Sequence, residues 1–223
     1  MSQIVAPQVL RYLEQHHPPI DRTLDDIRAE GLAAGLPLVD AMTARLLRSL
    51  IISMGASKVL EIGTAIGYSA SCMAQALPAG GALFTMEIDA ARAATARHNF
   101  ERSGVAGKVH VIVGDAARFL HKVAGPFDLI FQDGAKHMYE PLLDRLVEHL
   151  RPGGLLVSDN VLWHGEVVPG LVERPERDPA DTEAIRRYNA RLASDARLFT
   201  TFLPVGDGVA LSARIQGNRR MGE

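Results

Sequence analysis

Apolar residues at three- and four-residue intervals dominate the first 55 positions. Leu46, Leu47, Leu50, Ile51 and Met54 fall on one stripe, which predicts a helix with a single face on a core. Asp40 is placed to cap its start. Two shorter helices are predicted before it, over 7–15 and 21–34. The first ends at Pro18-Pro19, where proline cannot continue the hydrogen-bond ladder.

From Lys58 the period changes. Short apolar runs at 59–62, 82–86, 109–113, 127–131 and 155–158 alternate with helical stretches such as 90–103 and 137–150. Gly104 and the Pro152-Gly153-Gly154 turn stand just past two of those stretches, where helix stops belong. The alternation predicts βαβ units, and so an α/β fold with a mainly parallel, doubly wound sheet. After Gly165 a proline-rich, charged stretch, 167–181, predicts a long exposed loop, followed by a helix over 181–194. Two strand-like runs, 198–205 and 208–215, are joined by Gly206-Asp207-Gly208, a hairpin signal that predicts an antiparallel pair. There is no internal repeat. The whole is expected to be one domain, 1–223, with a helical cover over 1–55, a core over 58–215 and a polar, frayed tail at 216–223.

Length and composition agree with that plan. The chain has 223 residues, enough for one domain with a substantial core, and its 47% hydrophobic and 22% charged residues are those of an ordinary globular protein. The formal net charge is −2 and the basic residues are scattered, which counts against a nucleic-acid partner held through phosphates. Cys72 is the sole cysteine, so an intrachain disulfide and a CxxC metal site are excluded, and a reducing compartment suits the chain. No signal-peptide pattern opens the sequence and no apolar run is long enough to span a membrane. The cytoplasm is the expected location.

Candidate chemistry gathers at the predicted strand ends. In Val59-Leu60-Glu61-Ile62-Gly63-Thr64-Ala65-Ile66-Gly67-Tyr68-Ser69 a strand runs into a glycine turn and then a helix, and open α/β sheets bind ligands at such ends. Gly63 lets the backbone approach a ligand closely. The Gly63-x-x-x-Gly67 spacing lacks the Gly-x-Gly-x-x-Gly that seats a pyrophosphate, and the Glu61 carboxylate suits a cationic ligand better. Glu87 ends the second strand and can accept from ribose hydroxyls. Asp115 and Ala116, after the third, are placed to meet an adenine edge. Glu87 and Asp115 could equally cap the following helices. Together the three strand ends point to a cationic adenosyl ligand.

Asp133 follows the fourth strand and Asp159-Asn160 the fifth. Neighbouring strands lie about 4.8 Å apart, so two carboxylates and an amide oxygen can converge on a hard divalent ion: Mg²⁺, or another such as Mn²⁺ or Ca²⁺. Turn and cap roles are the alternative for Asp133-Gly134 and Asp159-Asn160. Asp133, between the nucleoside end and the ion, is counted with the ligand site and with catalysis as well. Lys136 is a candidate base for a hydroxyl beside the ion. Tyr68 and Trp163 are candidate walls for a flat ligand, or core aromatics.

Taken together, the glycine segment 59–69, Asp133-Gly134-Ala135-Lys136 and Ser158-Asp159-Asn160-Val161-Leu162-Trp163-His164-Gly165 resemble the bacterial branch of the cation-dependent O-methyltransferases, relatives of the caffeoyl-CoA and catechol O-methyltransferases. The resemblance runs over about 8–215. It implies a Rossmann-like, class I methyltransferase sheet of seven strands with the last antiparallel, and N-terminal helices that help cover the active site. It also implies S-adenosylmethionine contacts from Glu61, Gly63, Ser69, Glu87 and Ala116, an ion at Asp133, Asp159 and Asn160, a base at Lys136, and a homodimer. The chain departs from the family in Ala135, where an aspartate is common, and in Leu38-Val39-Asp40-Ala41-Met42, where serine and threonine are usual. The expected reaction moves a methyl group from the donor to an oxygen of a small phenolic acceptor with vicinal hydroxyls. An NAD-dependent oxidoreductase and a non-catalytic binder of the same ligand are the alternatives.

Overall fold

The computed structural model describes residues 5–174 and 176–216. Of the tail expected to fray, 217–223 lie outside the described residues. Three helices come first: α1 (Pro7–Gln15), α2 (Arg22–Ala33) and α3 (Ala41–Met54). Asp21 caps α2 through the Thr23 and Leu24 amides, and Asp40 caps α3 through Met42 N at 2.8 Å. The alternating part follows as β1 (Lys58–Ile62), α4 (Tyr68–Ala76), β2 (Ala82–Glu87), α5 (Ala90–Arg102), β3 (Val109–Val113), α6 (Ala116–Phe119), β4 (Phe127–Gln132), α7 (Tyr139–His149), β5 (Leu150–Ser158), α8 (Pro179–Ser194), β6 (Leu198–Leu203) and β7 (Val209–Arg214).

One sheet of seven strands runs in the order β3-β2-β1-β4-β5-β7-β6, and β7 alone is antiparallel to its neighbours. The doubly wound sheet with an antiparallel last strand is therefore as expected. Its central strands are apolar almost without interruption because both faces are covered. On one face β1 and β2 pack with α2, α3 and α4 through Leu24, Leu47, Ile51 and Met73. On the other, α7 and α8 bring Leu143, Leu146, Ile185 and Tyr188. The Tyr188 hydroxyl, fully buried, donates to Gln132 Oε1 at 2.9 Å and lies 2.6 Å from Ser158 Oγ, which ties α8 to the ends of β4 and β5.

Two local readings need correction. β5 begins at Leu150, not 155. Pro152-Gly153-Gly154 does not end the helix; it makes an irregularity inside the strand, with Leu150 opposite Phe127 and regular pairing resumed at Leu155 opposite Leu129. Proline lacks an N–H for the ladder, and Gly153 takes φ 75°, so the chain bulges and then re-enters. The β6–β7 connection is also longer than a tight turn, covering 204–208.

The parallel ladder extends one residue beyond each strand tip. Gly63 N donates to Met86 O (3.0 Å), Gly114 N to Glu87 O (2.8 Å), Asp133 N to Ile62 O (2.9 Å) and Asp159 N to Gln132 O (3.1 Å). Gly63, Asp133 and Asp159, singled out in the sequence, thus stand with Gly114 on one rim.

Candidate active site

Above that rim lies a cavity of about 1060 Å³, roofed by α1, α2 and the 36–42 segment. Its first half lies over β1, β2 and β3. Gly63 takes φ 98°, and a Cβ there would come within 2.4 Å of the Asp133 carbonyl oxygen. The glycine is thus required first by the backbone of the neighbouring strand, not by a ligand as the sequence suggests. Gly67 (φ 86°) starts α4 against the Phe100 ring, 2.6 Å from where its Cβ would stand.

Glu61 is fully buried and does not line the cavity. Ser69 Oγ and Thr85 Oγ1 each donate to it at 2.5 Å. Ser69, which stands on the cavity wall with Tyr68, therefore lies between Glu61 and the cavity. Burial pushes the Glu61 carboxyl from its ordinary 4.5 up to about 8, against the opposing effect of the two hydroxyls. A carboxyl kept protonated in the folded chain but free to ionise in the unfolded one stabilises the fold fully below pH 4.5, and that stabilisation is lost as pH rises to about 8. Glu61→Gln does not titrate, so it is expected to flatten the decline in unfolding free energy of the ligand-free chain between about pH 5 and pH 8. Urea denaturation across that range checks this, and parallel curves for the two proteins would exclude the assignment.

Glu87 is a loop lock rather than a helix cap. It is 5% exposed, accepts from Ala65 N (2.8 Å) and Asp89 N (3.0 Å), and pairs with Arg92 at 3.2 Å. Capping of α5 falls to Asp89, through Ala91 N and Arg92 N. Through Glu87, Ala65 is held at φ 48°, a left-handed conformation costly for alanine. Asp115 does both jobs: it caps α6 through Ala117 N at 2.8 Å, and with Ala116 it lines the cavity.

The second half lies over β4 and β5. Lys136 Nζ donates to Asp133 Oδ1 (3.2 Å), Asn160 Oδ1 (2.6 Å) and the Tyr139 hydroxyl (2.8 Å). Tyr139 in turn faces the Gln132 and Asp159 carbonyl oxygens, each at 3.2 Å. Asp159 is buried and accepts from Asn160 N at 2.8 Å. Burial pushes Asp133 and Asp159 above the usual carboxylate range, and for Asp159 the Asp133 charge adds to the effect. The buried Asp159 carboxylate, the half-buried Asp133 carboxylate and an amide oxygen, balanced by one ammonium, form an all-oxygen set suited to a hard cation. Among the described residues no group of three His, Cys, Asp or Glu side chains is gathered for a metal.

The loop after β5 is strained. Asn160, Trp163 and His164 take φ of 58°, 47° and 54°, each costing of order 1 kcal/mol or more for a non-glycine residue. Asp207 holds it there. His164 N donates to Asp207 Oδ1, Asn160 Nδ2 reaches its other oxygen at 3.4 Å, and Leu162 N donates to Asp207 O at 3.1 Å. Asp207 also lines the cavity. In the sequence Gly206-Asp207-Gly208 reads only as turn chemistry, and no local signal distinguishes the two roles. Trp163 is a cavity wall, with Lys136 Nζ 5.7 Å from its ring centroid and Arg177 Cζ 5.5 Å away on the cavity rim. Arg177 is set there by Glu166, whose carboxylate accepts from Glu176 N and Arg177 N. The 167–181 stretch therefore borders the site. Tyr68, 3% exposed, belongs to both core and wall.

Comparison with known proteins gives a consistent result. A family profile described as O-methyltransferase matches residues 23–215. The chain is 36% identical over 190 residues to a catechol O-methyltransferase of Niastella koreensis, covering 80% of this chain and 84% of that one. It is 35% identical over 201 residues to caffeoyl-CoA O-methyltransferase 2 of Zea mays, covering 81% and 71%. Among solved structures, the O-methyltransferase TomG of Streptomyces achromogenes, involved in tomaymycin synthesis and solved in complex with SAM, superposes with a TM-score of 0.83 at 29% identity, covering 97% of this chain and all of that one.

Proposed function

The chain belongs to the O-methyltransferase family, and from that premise we propose that it transfers the methyl group of S-adenosylmethionine to one of two neighbouring hydroxyls on a small phenolic acceptor, with the aid of a divalent cation. The observation that carries this reading is that Lys136 Nζ lies within hydrogen-bond distance of both Asp133 and Asn160, beside a cavity whose other half ends at Glu87, Asp115 and Ala116.

Asp133, Asp159 and Asn160 would hold the cation. When bound, the ion supplies Lewis acidity to two adjacent acceptor oxygens, and the donor supplies an electrophilic methyl on a sulfonium. Lys136 Nζ is the group of this chain placed to take the proton of the attacking hydroxyl, and Tyr139 and Asn160 orient it. Trp163 offers a flat wall for an aromatic ring. Asp207 holds Asn160 and His164 in place, so that positioning carries much of the rate. Ser69 and Glu87 are assigned to the donor's amino-acid and ribose ends, with Gly63 leaving the rim level between them. A homodimer in the cytoplasm, with a small-molecule rather than a nucleic-acid partner, completes the reading.

The alternatives divide on the family. A hydride-transferring enzyme gives way to a methyl-transferring one, and a non-catalytic binder would have no use for the Lys136 cluster. The acceptor is tested by incubating the protein with labelled donor, Mg²⁺ and a panel of catechols, flavonoids and hydroxycinnamoyl thioesters, read by mass spectrometry. One added methyl on vicinal diols, and none on their monohydroxy analogues, is the expected result. Equal methylation of isolated hydroxyls would overturn the chelating acceptor.

A further inference from the structure

We infer that Arg28 binds the carboxylate at the amino-acid end of the methyl donor. The inference rests on the donor reading above and adds a residue that neither the sequence motifs nor the resemblance singles out.

Arg28 sits on α2 and lines the cavity. Among the described residues it makes no hydrogen bond and no ion pair, and its Nε is buried without a partner. A partly buried guanidinium, with five N–H donors and no way to discharge, is rarely left so. The other arginines on the cavity wall are occupied: Arg92 by Glu87 at 3.2 Å and Arg177 by His164 at 2.6 Å.

Its place in the fold specifies the ligand. Gly31, on the same face of α2 one turn later, is so close to the glycine loop that a Cβ there would come within 2.7 Å of Ile66 Cδ1. That face of α2 therefore lies over the junction of β1 and α4. Burial raises the pKa of the Tyr68 hydroxyl at this junction, and the charge of Arg28 partly opposes that effect, as proximity requires. Here α4 begins with no side-chain cap, so its first-turn amides present a partial positive charge to the same space. The roof segment 38–42 offers Leu, Val, Asp, Ala and Met, with no neutral hydroxyl or amide side chain to receive an anion.

The strand order β3-β2-β1-β4 then orients an adenosyl amino acid. With the nucleoside at the tips of β3 and β2, the other end of the molecule reaches the β1–α4 junction under Arg28. The acids Asp133, Asp159 and Asp207 lie farther along, toward β4, β5 and the β6–β7 connection. The donor's carboxylate is its one anionic group, and Arg28 is, among the described residues, the unpaired cation at that end.

Calorimetry on wild type, Arg28→Ala and Arg28→Lys, with S-adenosylmethionine and with its decarboxylated analogue, tests this. Arg28→Ala is expected to weaken S-adenosylmethionine about 10- to 100-fold, the scale of a charge-assisted hydrogen bond, while the analogue changes by less than about twofold. Arg28→Lys is expected to recover part of the loss. Equal weakening of both ligands would mean a damaged cavity, and an unchanged affinity for both would mean no contact; either overturns the assignment to Arg28 while leaving the wild-type donor site intact. A wild-type protein that bound neither ligand would overturn the donor reading and this inference together.

Discussion

Lys136→Ala is expected to lower kcat on a catechol acceptor by about 10²–10⁴-fold, the usual contribution of a positioned proton acceptor. Donor binding, measured with S-adenosylhomocysteine, should change by less than about twofold, because Lys136 lies over β4 and β5 rather than over β1 to β3. A rival role is plain from the geometry. Nζ touches Asp133, Asn160 and Tyr139, so Lys136 could serve only as a counter-charge that keeps the Asp133 and Asp159 carboxylates together. Lys136→Arg separates the two, since a guanidinium keeps the charge but does not give up its proton at working pH. A slow arginine variant supports the base, and one with near wild-type kcat makes Lys136 a charge partner alone. Thermal unfolding of both variants reports whether the carboxylate cluster survives without the ammonium.

The second large effect concerns the ion. Asp159→Asn keeps the shape of the side chain and the acceptor for Asn160 N, but removes the buried one of the two carboxylates. Loss of a Lewis acid worth several kcal/mol corresponds to a fall of about 10³-fold in rate, and Mn²⁺ titration followed by electron paramagnetic resonance should show the weakened site directly. Chelator-treated wild type should be slowed to the same extent and restored by Mg²⁺. Full activity after removal of divalent ions, or wild-type Mn²⁺ affinity in Asp159→Asn, would refute the ion's place at this cluster.

Much of this architecture is legible in the chain because its causes are local. The 3.6-residue stripe of 46–54 makes α3, with Asp40 capping it. The doubly buried runs at 59–62 and 127–131 can only be interior strands of a covered sheet. Gly63, Asp133 and Asp159 follow strand ends, and parallel pairing puts strand ends on one rim whatever the side chains do. Where one residue serves two masters the sequence is ambiguous. Asp115 caps α6 and faces the cavity, Tyr68 is core and wall, and Pro152-Gly153-Gly154 reads as a helix stop yet forms an irregularity within β5.

The linear order of residues thus determined the element order, the mainly parallel sheet and the rim on which the acids and glycines stand, since period, caps and pairing act over a few residues. Tertiary packing decided which of those groups meet the cavity. Glu61 is set behind Ser69 by the burial of β1, and Glu87 locks Ala65 instead of capping α5. Asp207 is brought to Asn160 and His164 from more than 40 positions away, and Arg28 is carried on α2 to the β1–α4 junction without a carboxylate partner among the described residues. Such contacts join segments remote in the chain, so their direction and solvation are fixed only when the helices close over the sheet.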